Sequence, residues 1–201
     1  MSVRDDSFAA GLILSELVTQ CDLAEFSFAR VRSLAAQWRS ASLDFAPPRA
    51  TPTEIFAHIS VLLTAAATIY WFLFESGRKG RVAHRCKALR TLLEVDTLPL
   101  LQSTGVRHGY QHVDERLDGL MDGFVEGAIE PLSLSDLPPT RDCTVLKRLD
   151  PGTLVVSILD QSLSLYHLAK EIAALKAKIL AVLPRLEERH VFIFSNPGTA
   201  G

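Results

Sequence analysis

Apolar residues recur at three- and four-residue steps through most of this chain, which is the period of amphipathic helices. The steps predict one long helix from Asp5 to about Ala41 and a second from Thr51 to about Ser76. A last helix, capped by Asp160 or Ser162, is predicted to run to about Leu186. We therefore expect an all-α fold, an up-and-down bundle of about five helices.

Shorter patterns between these helices predict the remaining elements. Asp96 is expected to cap a further helix, and helical spacing resumes over 106–124. Residues 127–142 contain three prolines and are expected to form an irregular connection. Two β-branched runs then flank Asp150-Pro151-Gly152, whose Pro-Gly pair fits a type II turn. We expect a small β-hairpin there, at about 143–159, before the last helix.

The second predicted helix is apolar nearly all round. Residues 55–74 could cross a bilayer by length and composition. However, Thr51-Pro52-Thr53-Glu54 forms a capping box, which is typical of soluble helices, and Ser60, Thr64 and Thr68 form a polar stripe. We therefore expect an interior bundle helix and no membrane partner, with a single span over 55–74 as the alternative.

Composition favours one globular domain in a reducing compartment. The chain has 201 residues, 48% of them hydrophobic and 22% charged, which suits one packed core. Its three cysteines are scattered and form no Cys-x-x-Cys pair, which argues against disulfides and a thiolate zinc site. The first residues lack a signal-peptide pattern. We expect one domain over 1–188, a loosely ordered tail over 189–201, and cytoplasmic localisation.

Basic side chains concentrate between residues 78 and 90, with no acid before Glu94. Because the whole chain carries a net charge of −2, nucleic-acid binding would need such a local patch. The alternative is an ordinary solvated helix face. The residues predicted to guide RNA are Arg78, Lys79, Arg81 and Arg85.

The densest group of reactive side chains includes Arg107 and His112. Five residues apart, they lie about 140° apart on an ideal helix. A long arginine can still curl toward a ligand that the imidazole touches, or a two-fold dimer can bring two such helices face to face. Arginine binds phosphate, and an imidazole can take a proton from a ribose 2′-hydroxyl. The pair therefore suffices for metal-independent RNA cleavage.

The stretch 106–118 resembles the signature helix of the HEPN superfamily, and most closely that of bacterial members of the abortive-infection type. Their pattern is an arginine, a polar residue that is usually asparagine, and a histidine four to six residues after the arginine. Arg107, His108 and His112 fit this pattern, and an Asp-Glu-Arg-Leu-Asp run follows at 114–118. The departures are His108 in the place of asparagine and the neighbouring Gly109. Outside the motif the resemblance extends over about 52–186 at low specificity.

The resemblance implies a helical bundle, usually a homodimer, with RNA as the substrate of active members. Many HEPN-like proteins are inactive or bind nucleotides without cleaving. We expect an endoribonuclease or RNA-binding protein in toxin–antitoxin or abortive-infection defence, with an antitoxin as a further partner and no cofactor. In it, His112 would act as general base, Arg107 would hold the scissile phosphate, and His108 would orient a base or contact phosphate.

Two alternatives use the same residues differently. His108, His112 and Glu115 share one face of a helix, and two imidazoles with a carboxylate suit zinc or non-haem iron. His58 or His84 could complete such a metal site within a bundle. The other alternative is a non-catalytic interaction module, which needs the dimer but not the histidines.

Overall fold

The computed structural model of this chain describes residues 3–43, 50–74, 80–113, 115, 117–118, 128–137 and 143–187. Helices dominate, but four strands form one mixed sheet, so the all-α prediction is wrong. The helices are α1 (Val3–Leu43), α2 (Pro52–Phe74), α3 (Arg81–Leu92), α4 (Pro99–Gln102), α5 (Gly105–Gln111) and α6 (Leu165–Glu187). The strands are β1 (Ala128–Leu134), β2 (Cys143–Asp150), β3 (Val155–Ile158) and β4 (Gln161–Ser164).

Helices α1 and α2 pack antiparallel against each other. Arg30 of α1 lies 3.5 Å from Glu54 at the start of α2. One turn earlier in α1, Phe26 meets His58, one turn later in α2, with ring centroids 6.2 Å apart. The Thr51 half of the predicted capping box of α2 is confirmed, because the Glu54 N–H donates to Thr51 Oγ1 at 3.2 Å, while the Glu54 carboxylate lies beside Arg30. That bond satisfies one of the N–H groups that every helix start leaves free.

Helix α2 lies at the centre of the molecule, in contact with α1, α3, α4, α5 and β1. Ile59, Leu62 and Ile69 are fully buried in this core. Among the described helices, α2 is also the one that is long and apolar enough to cross a bilayer. Half of its most apolar stretch is buried inside the molecule, and core helices of globular proteins pass the same length test.

Helix α6 packs along α1. Lys176 of α6 lies 2.7 Å from Asp22 and also contacts Glu25, so one cation joins two acids of α1. The helix begins later than predicted, because residues 161–164 form a strand. Its start is capped by Ser164, whose Oγ accepts from the His167 N–H at 3.4 Å. The predicted caps Asp160 and Ser162 are therefore wrong.

The sheet has the strand order β1-β2-β3-β4. Strand β1 runs parallel to β2, whereas the β2–β3 and β3–β4 pairs are antiparallel. The predicted hairpin is present as β2 and β3, with Lys147 opposite Ile158, but β1 and β4 extend it on both sides. Leu149, Val156 and Ile158 are buried and join the sheet to the helical core.

The two unpredicted strands lie at the edges of the sheet, where sequence signals are weak. Residues 128–134 were expected to be irregular because Pro131 has no N–H to donate. In β1 the ladder pairs Glu130 and Leu132 but skips Pro131, which an edge strand tolerates. Strand β4 has only four residues, too few to show a period of two.

The turn between β2 and β3 differs from the predicted type II turn. It covers residues 151–154, and Asp150 Oδ1 accepts from the N–H groups of Gly152 at 2.7 Å and Thr153 at 3.1 Å. The left-handed backbone falls on Leu154, with φ 55°, and not on Gly152. The aspartate side chain therefore shapes this turn more than the glycine does.

Helix α4 depends on a distant residue for its start. It begins at Pro99, three residues beyond the predicted cap Asp96. The N–H groups of Leu100 and Leu101 donate to the carboxylate of Glu171 in α6, at 3.2 and 2.7 Å. A carboxylate in this position satisfies two free N–H groups and is favoured by the partial positive charge at a helix start.

Replacing Glu171 with alanine should lower the free energy of unfolding by about 2 kcal/mol, because two partly buried N–H groups lose a charged acceptor. Urea denaturation measures the change. Glu16→Ala is the matched control, since this exposed glutamate accepts from the exposed Gln20 one turn away in α1, and should change stability by less than about 0.5 kcal/mol. Equal losses in the two variants would contradict the role of Glu171.

Candidate functional site

The helix predicted over 106–124 is interrupted in the structure. Helix α5 ends at Gln111, and His112 has non-helical backbone angles, φ −119° and ψ 53°. Helical backbone resumes at Val113, while residues 119–127 lie outside the described part of the chain. His112 therefore occupies a corner between helical segments and not the middle of one helix.

Arg107 lies inside the fold, with only 3% of the residue exposed. Its Nε donates to Ser103 O and its Nη1 to Ala66 O, each at 3.2 Å. Its Nη2 donates to Leu101 O. The guanidinium carbon also lies 4.9 Å from the ring centroid of Tyr70, in the geometry of a cation–π contact. The side chain thus joins α5 to α2 and to the end of α4.

These contacts make Arg107 a structural residue. The last carbonyls of a helix lack partners within it, and Arg107 supplies donors at the end of α4. Burial lowers the pKa of Arg107, and the nearby Tyr70 opposes this shift. The guanidinium lies inside the protein while the His112 side chain is 44% exposed. Their predicted joint contact with one phosphate therefore has no support in this arrangement.

His108 and His112 lie together at the end of α5. Their ring centroids are 4.3 Å apart and their planes differ by 30°. His112 Nδ1 lies 3.3 Å from Glu115 Oε1, and both of these side chains are substantially exposed. The structure therefore brings His108, His112 and Glu115 together and separates them from Arg107.

The Glu115 carboxylate gives the His112 ring a defined orientation. A carboxylate beside Nδ1 favours the tautomer with its proton on that nitrogen. Nε2 then keeps a lone pair that can accept a proton from a substrate hydroxyl. His108 supplies a second imidazole, which can donate a proton when it is protonated. The cluster can therefore perform paired general acid and base chemistry.

The stacked rings suit the metal alternative less well. Imidazoles bind one ion when the lone pairs in their ring planes converge on it. The rings of His108 and His112 are stacked, so these lone pairs run side by side, and Glu115 lies against Nδ1 of His112. His58 packs against Phe26. In the part of the chain that is described, no three His, Cys, Asp or Glu side chains are grouped to hold a metal.

Two arginines of the basic run attach α3 to α2. The guanidinium carbon of Arg85 lies 5.7 Å from the ring centroid of Phe72, and that of Arg90 lies 5.3 Å from Phe74. Arg90 also donates to the carbonyl of Leu73 near the end of α2. These two side chains therefore contribute packing and a cap, which limits their freedom to follow an RNA backbone.

The other basic side chains of α3 face solvent. Arg81, His84 and Lys87 are exposed, and α3 contains no acid. Arg78 and Lys79, which were predicted to guide RNA, lie outside the described residues. Of the four predicted RNA-guiding residues, the structure thus places Arg81 on the surface and Arg85 partly inside.

The opposite side of α5 contains a pair that the sequence did not indicate. Lys147 Nζ of β2 lies 4.7 Å from the ring centroid of Tyr110. Burial lowers the pKa of Lys147 and raises that of Tyr110. The Tyr110 hydroxyl is buried without a hydrogen-bond partner among the described residues. The pair depends on how the sheet packs on α5, so local sequence carries no signal for it.

Gly109, one of the departures from the HEPN pattern, has a packing role. A Cβ at this position would lie 2.9 Å from Cγ2 of Ile158 in β3. Ile158 is 1% exposed and stiff at its branched carbon, so it can move aside only by disturbing the core around it. The absence of a side chain at residue 109 therefore lets α5 lie close to the sheet.

Gly109→Ala should lower the free energy of unfolding by about 1 kcal/mol, because overpacking against Ile158 outweighs the better helix propensity of alanine. Gly105→Ala is the matched control within α5. Its Cβ would meet the end of the flexible Gln161 side chain, which can turn aside. We expect that variant to be neutral or slightly stabilised in thermal unfolding, and the reverse order would exclude close packing as the reason for Gly109.

Known proteins offer no parallel from which the site can be assigned. Family models, curated proteins and solved structures were compared with the chain, and none of them matches. The HEPN resemblance consequently rests on residues 106–118, and the geometry of that stretch must support any assignment of function.

Proposed function

We propose that this protein is a HEPN-like, metal-independent endoribonuclease whose proton transfers are made by His112 and His108. One observation carries the proposal: His112 lies 3.3 Å from Glu115 and its ring is stacked 4.3 Å from that of His108, on an accessible surface. An oriented imidazole beside a second imidazole can supply the two proton transfers of metal-free phosphodiester transesterification. The class of substrate comes from the resemblance.

The proposed reaction uses each imidazole once. Nε2 of His112 takes the proton from a ribose 2′-hydroxyl, and the 2′-oxygen attacks the adjacent phosphorus. The bond between phosphorus and the 5′-oxygen breaks as the protonated His108 gives its proton to that oxygen. The products are a 2′,3′-cyclic phosphate and a 5′-hydroxyl end. Glu115 holds the His112 ring and stabilises the imidazolium that forms.

In this proposal Arg107 supports the site and does not touch RNA. Its bonds to Ala66, Leu101 and Ser103 fix the base of α5, which carries both histidines. The exposed Arg81 and Lys87 are the candidates on α3 for phosphate contacts, through charge and without sequence preference. A toxin role in bacterial defence, with an antitoxin as its partner, would be one use of such an activity.

The test is incubation of a single-stranded RNA with the full chain in EDTA. We expect cleavage to 2′,3′-cyclic phosphate ends, and no cleavage of an oligonucleotide that carries 2′-deoxyribose throughout, because the attacking hydroxyl is then missing. Cleavage that requires an added divalent ion would point to a metal site at His108, His112 and Glu115. Intact RNA under all conditions would remove the nuclease proposal.

The second candidate is a non-catalytic interaction module. The burial of Arg107 favours it, because the arginine expected to hold the scissile phosphate is committed to the fold. RNA that is bound but left intact, or not bound at all, would support this candidate. The same EDTA assay with an RNA-binding measurement therefore separates the two functions.

A further inference from the structure

A cleft lies between the loop that precedes α4 and one side of α6. We define the α6 cleft as the cavity between residues 94–98 and the side of α6 that carries Ala174, Leu175 and Lys178. Its volume is about 180 Å³, and cavities of about 150 Å³ admit a benzene ring. The α6 cleft is therefore large enough for one aromatic side chain.

The inner wall of the α6 cleft is apolar. Val95 and Leu175 are 4% and 1% exposed, and Leu98 packs against the hydrophobic core. The Lys178 ammonium donates to the Glu94 carbonyl oxygen at 2.7 Å and so joins the loop to α6 beside the cleft. Apolar walls with a few polar groups around them suit an apolar side chain whose backbone stays near water.

Apolar side chains continue from the α6 cleft to the end of α6. Lys178, Val182 and Leu186 follow one another at four-residue steps, so they lie along one side of the helix. Val182 and Leu186 pack against the core but are only partly buried. These two residues form a strip that leads from the last turn of α6 back to the cleft, and covering it would remove more apolar surface from water.

The sequence after α6 contains a segment that matches this strip. Residues 188–201 lie outside the described part of the chain, but Val191-Phe192-Ile193-Phe194 is apolar throughout and carries no charge. β-branched and aromatic residues favour an extended backbone. In that backbone Phe192 and Phe194 point to the same side, about 7 Å apart, whereas Ile193 points away. Four-residue steps on a helix are about 6 Å apart, so the two phenylalanines match the spacing of the strip.

We propose that residues 191–194 fold back along α6, with Phe194 in the α6 cleft and Phe192 against Val182 and Leu186. A short covalent tether favours this occupant over a free ligand, because it holds the segment at an effective concentration of about millimolar. The segment also brings no charge that would lose its water on docking. For residues 191–194 the proposal replaces the expectation of a loosely ordered tail.

The length of the chain permits this contact. Lys178 lies about 14 Å from Glu187 along the helix. A reversal of direction over residues 188–190, followed by four extended residues, carries the chain about 13 Å back. Phe194 therefore arrives at the level of Lys178, where the cleft begins.

The folded-back segment adds a support for the start of α4. Residues 94–98 lead directly into α4, whose first N–H groups already depend on Glu171, about one turn before Ala174 on α6. Phe194 supplies a second connection between this loop and α6. The proposal does not involve the histidine cluster, so it can hold or fail independently of the ribonuclease.

Solution NMR of the full chain tests the contact directly. The ring of Phe194 in the α6 cleft should displace the methyl resonance of Ala174 through its ring current, and Phe194→Ser should abolish this displacement. Ile193→Ser is the matched control within the segment, because its side chain points away from α6 and should leave the resonance in place. An Ala174 resonance that Phe194→Ser does not move would overturn the proposal.

Trypsin cleavage after Arg189 provides a second test, since cleavage follows the population in which the segment is free. Ala174→Trp should speed cleavage by about tenfold or more, because the indole occupies the cleft in place of Phe194. Ala173→Trp is the control, since the exposed Ala173 lies on the opposite side of α6. Equal rates in the two variants would overturn the proposal. An Ala174 displacement that disappears on dilution would also overturn it and assign the cleft to the segment of a second copy.

Discussion

Replacing Arg107 with alanine is expected to lower the free energy of unfolding by about 3 kcal/mol. The variant removes the guanidinium bonds to the carbonyls of Ala66, Leu101 and Ser103 and the contact with Tyr70. Arg107→Lys should recover only part of the loss, because one ammonium cannot reach three separated acceptors as a planar guanidinium does.

Urea denaturation followed by circular dichroism measures this loss. Arg30→Ala is the matched control, since Arg30 forms an exposed pair with Glu54 that contributes about 0.5 kcal/mol or less. RNA cleavage by Arg107→Ala, corrected for the folded fraction, should stay near the wild-type rate. A variant of normal stability that has lost cleavage would instead restore Arg107 as the phosphate ligand.

Replacing His112 with alanine should slow RNA cleavage by about 10²- to 10⁴-fold, which is the usual contribution of a general base. His112 is half exposed and lies outside the hydrophobic core, so the free energy of unfolding should change by less than about 0.5 kcal/mol. The two variants are therefore expected to change different quantities. Arg107→Ala lowers the stability of the fold, and His112→Ala lowers the rate of RNA cleavage.

Two further variants test the roles within the histidine cluster. Glu115→Ala should slow cleavage less than His112→Ala does, because the ring loses its orienting carboxylate but keeps its basic nitrogen. His167→Ala removes another exposed histidine, on α6, and should cleave at the wild-type rate. If His112→Ala and His167→Ala cleave equally well, the imidazole of His112 is not the base.

The spacing of apolar residues in the sequence was sufficient to predict the long helices. The helix predicted from Asp5 to about Ala41 corresponds to α1, and the Thr51 cap of α2 is present. The prediction of these elements is correct because many apolar positions repeat along each helix and because a helix cap is formed by residues close together in the sequence. Strand β1 has Pro131 at its centre and β4 has only four residues, so neither has a repeating apolar pattern or a local cap. The predicted fold class was wrong for this reason.

Sequence spacing also predicts only part of the candidate site. The apolar stripe that starts at Val106 and Tyr110 already places His108 and His112 away from the core. Both side chains reach the surface in the structure, although His112 lies just beyond the end of α5. Arg107 lies on the flank of that stripe, from which a long side chain can turn outward or inward. Its direction depends on the carbonyl of Leu101 at the end of α4 and on that of Ala66 in α2, which is 41 residues away in sequence, so spacing alone cannot predict it.

The ends of α4 have a consequence for the order of folding. Four residues cannot hold a helix by themselves, so α4 depends on the burial of Leu101 and on the end groups that Arg107 and Glu171 supply. The contact of Glu171 with Leu101 spans 70 residues, and the entropy of closing so long a loop delays it until α6 has docked. We therefore expect α4, which contacts Arg107 of α5, to be among the last parts to become ordered. A nascent chain that ends before Glu171 would then contain His108 and His112 without this support.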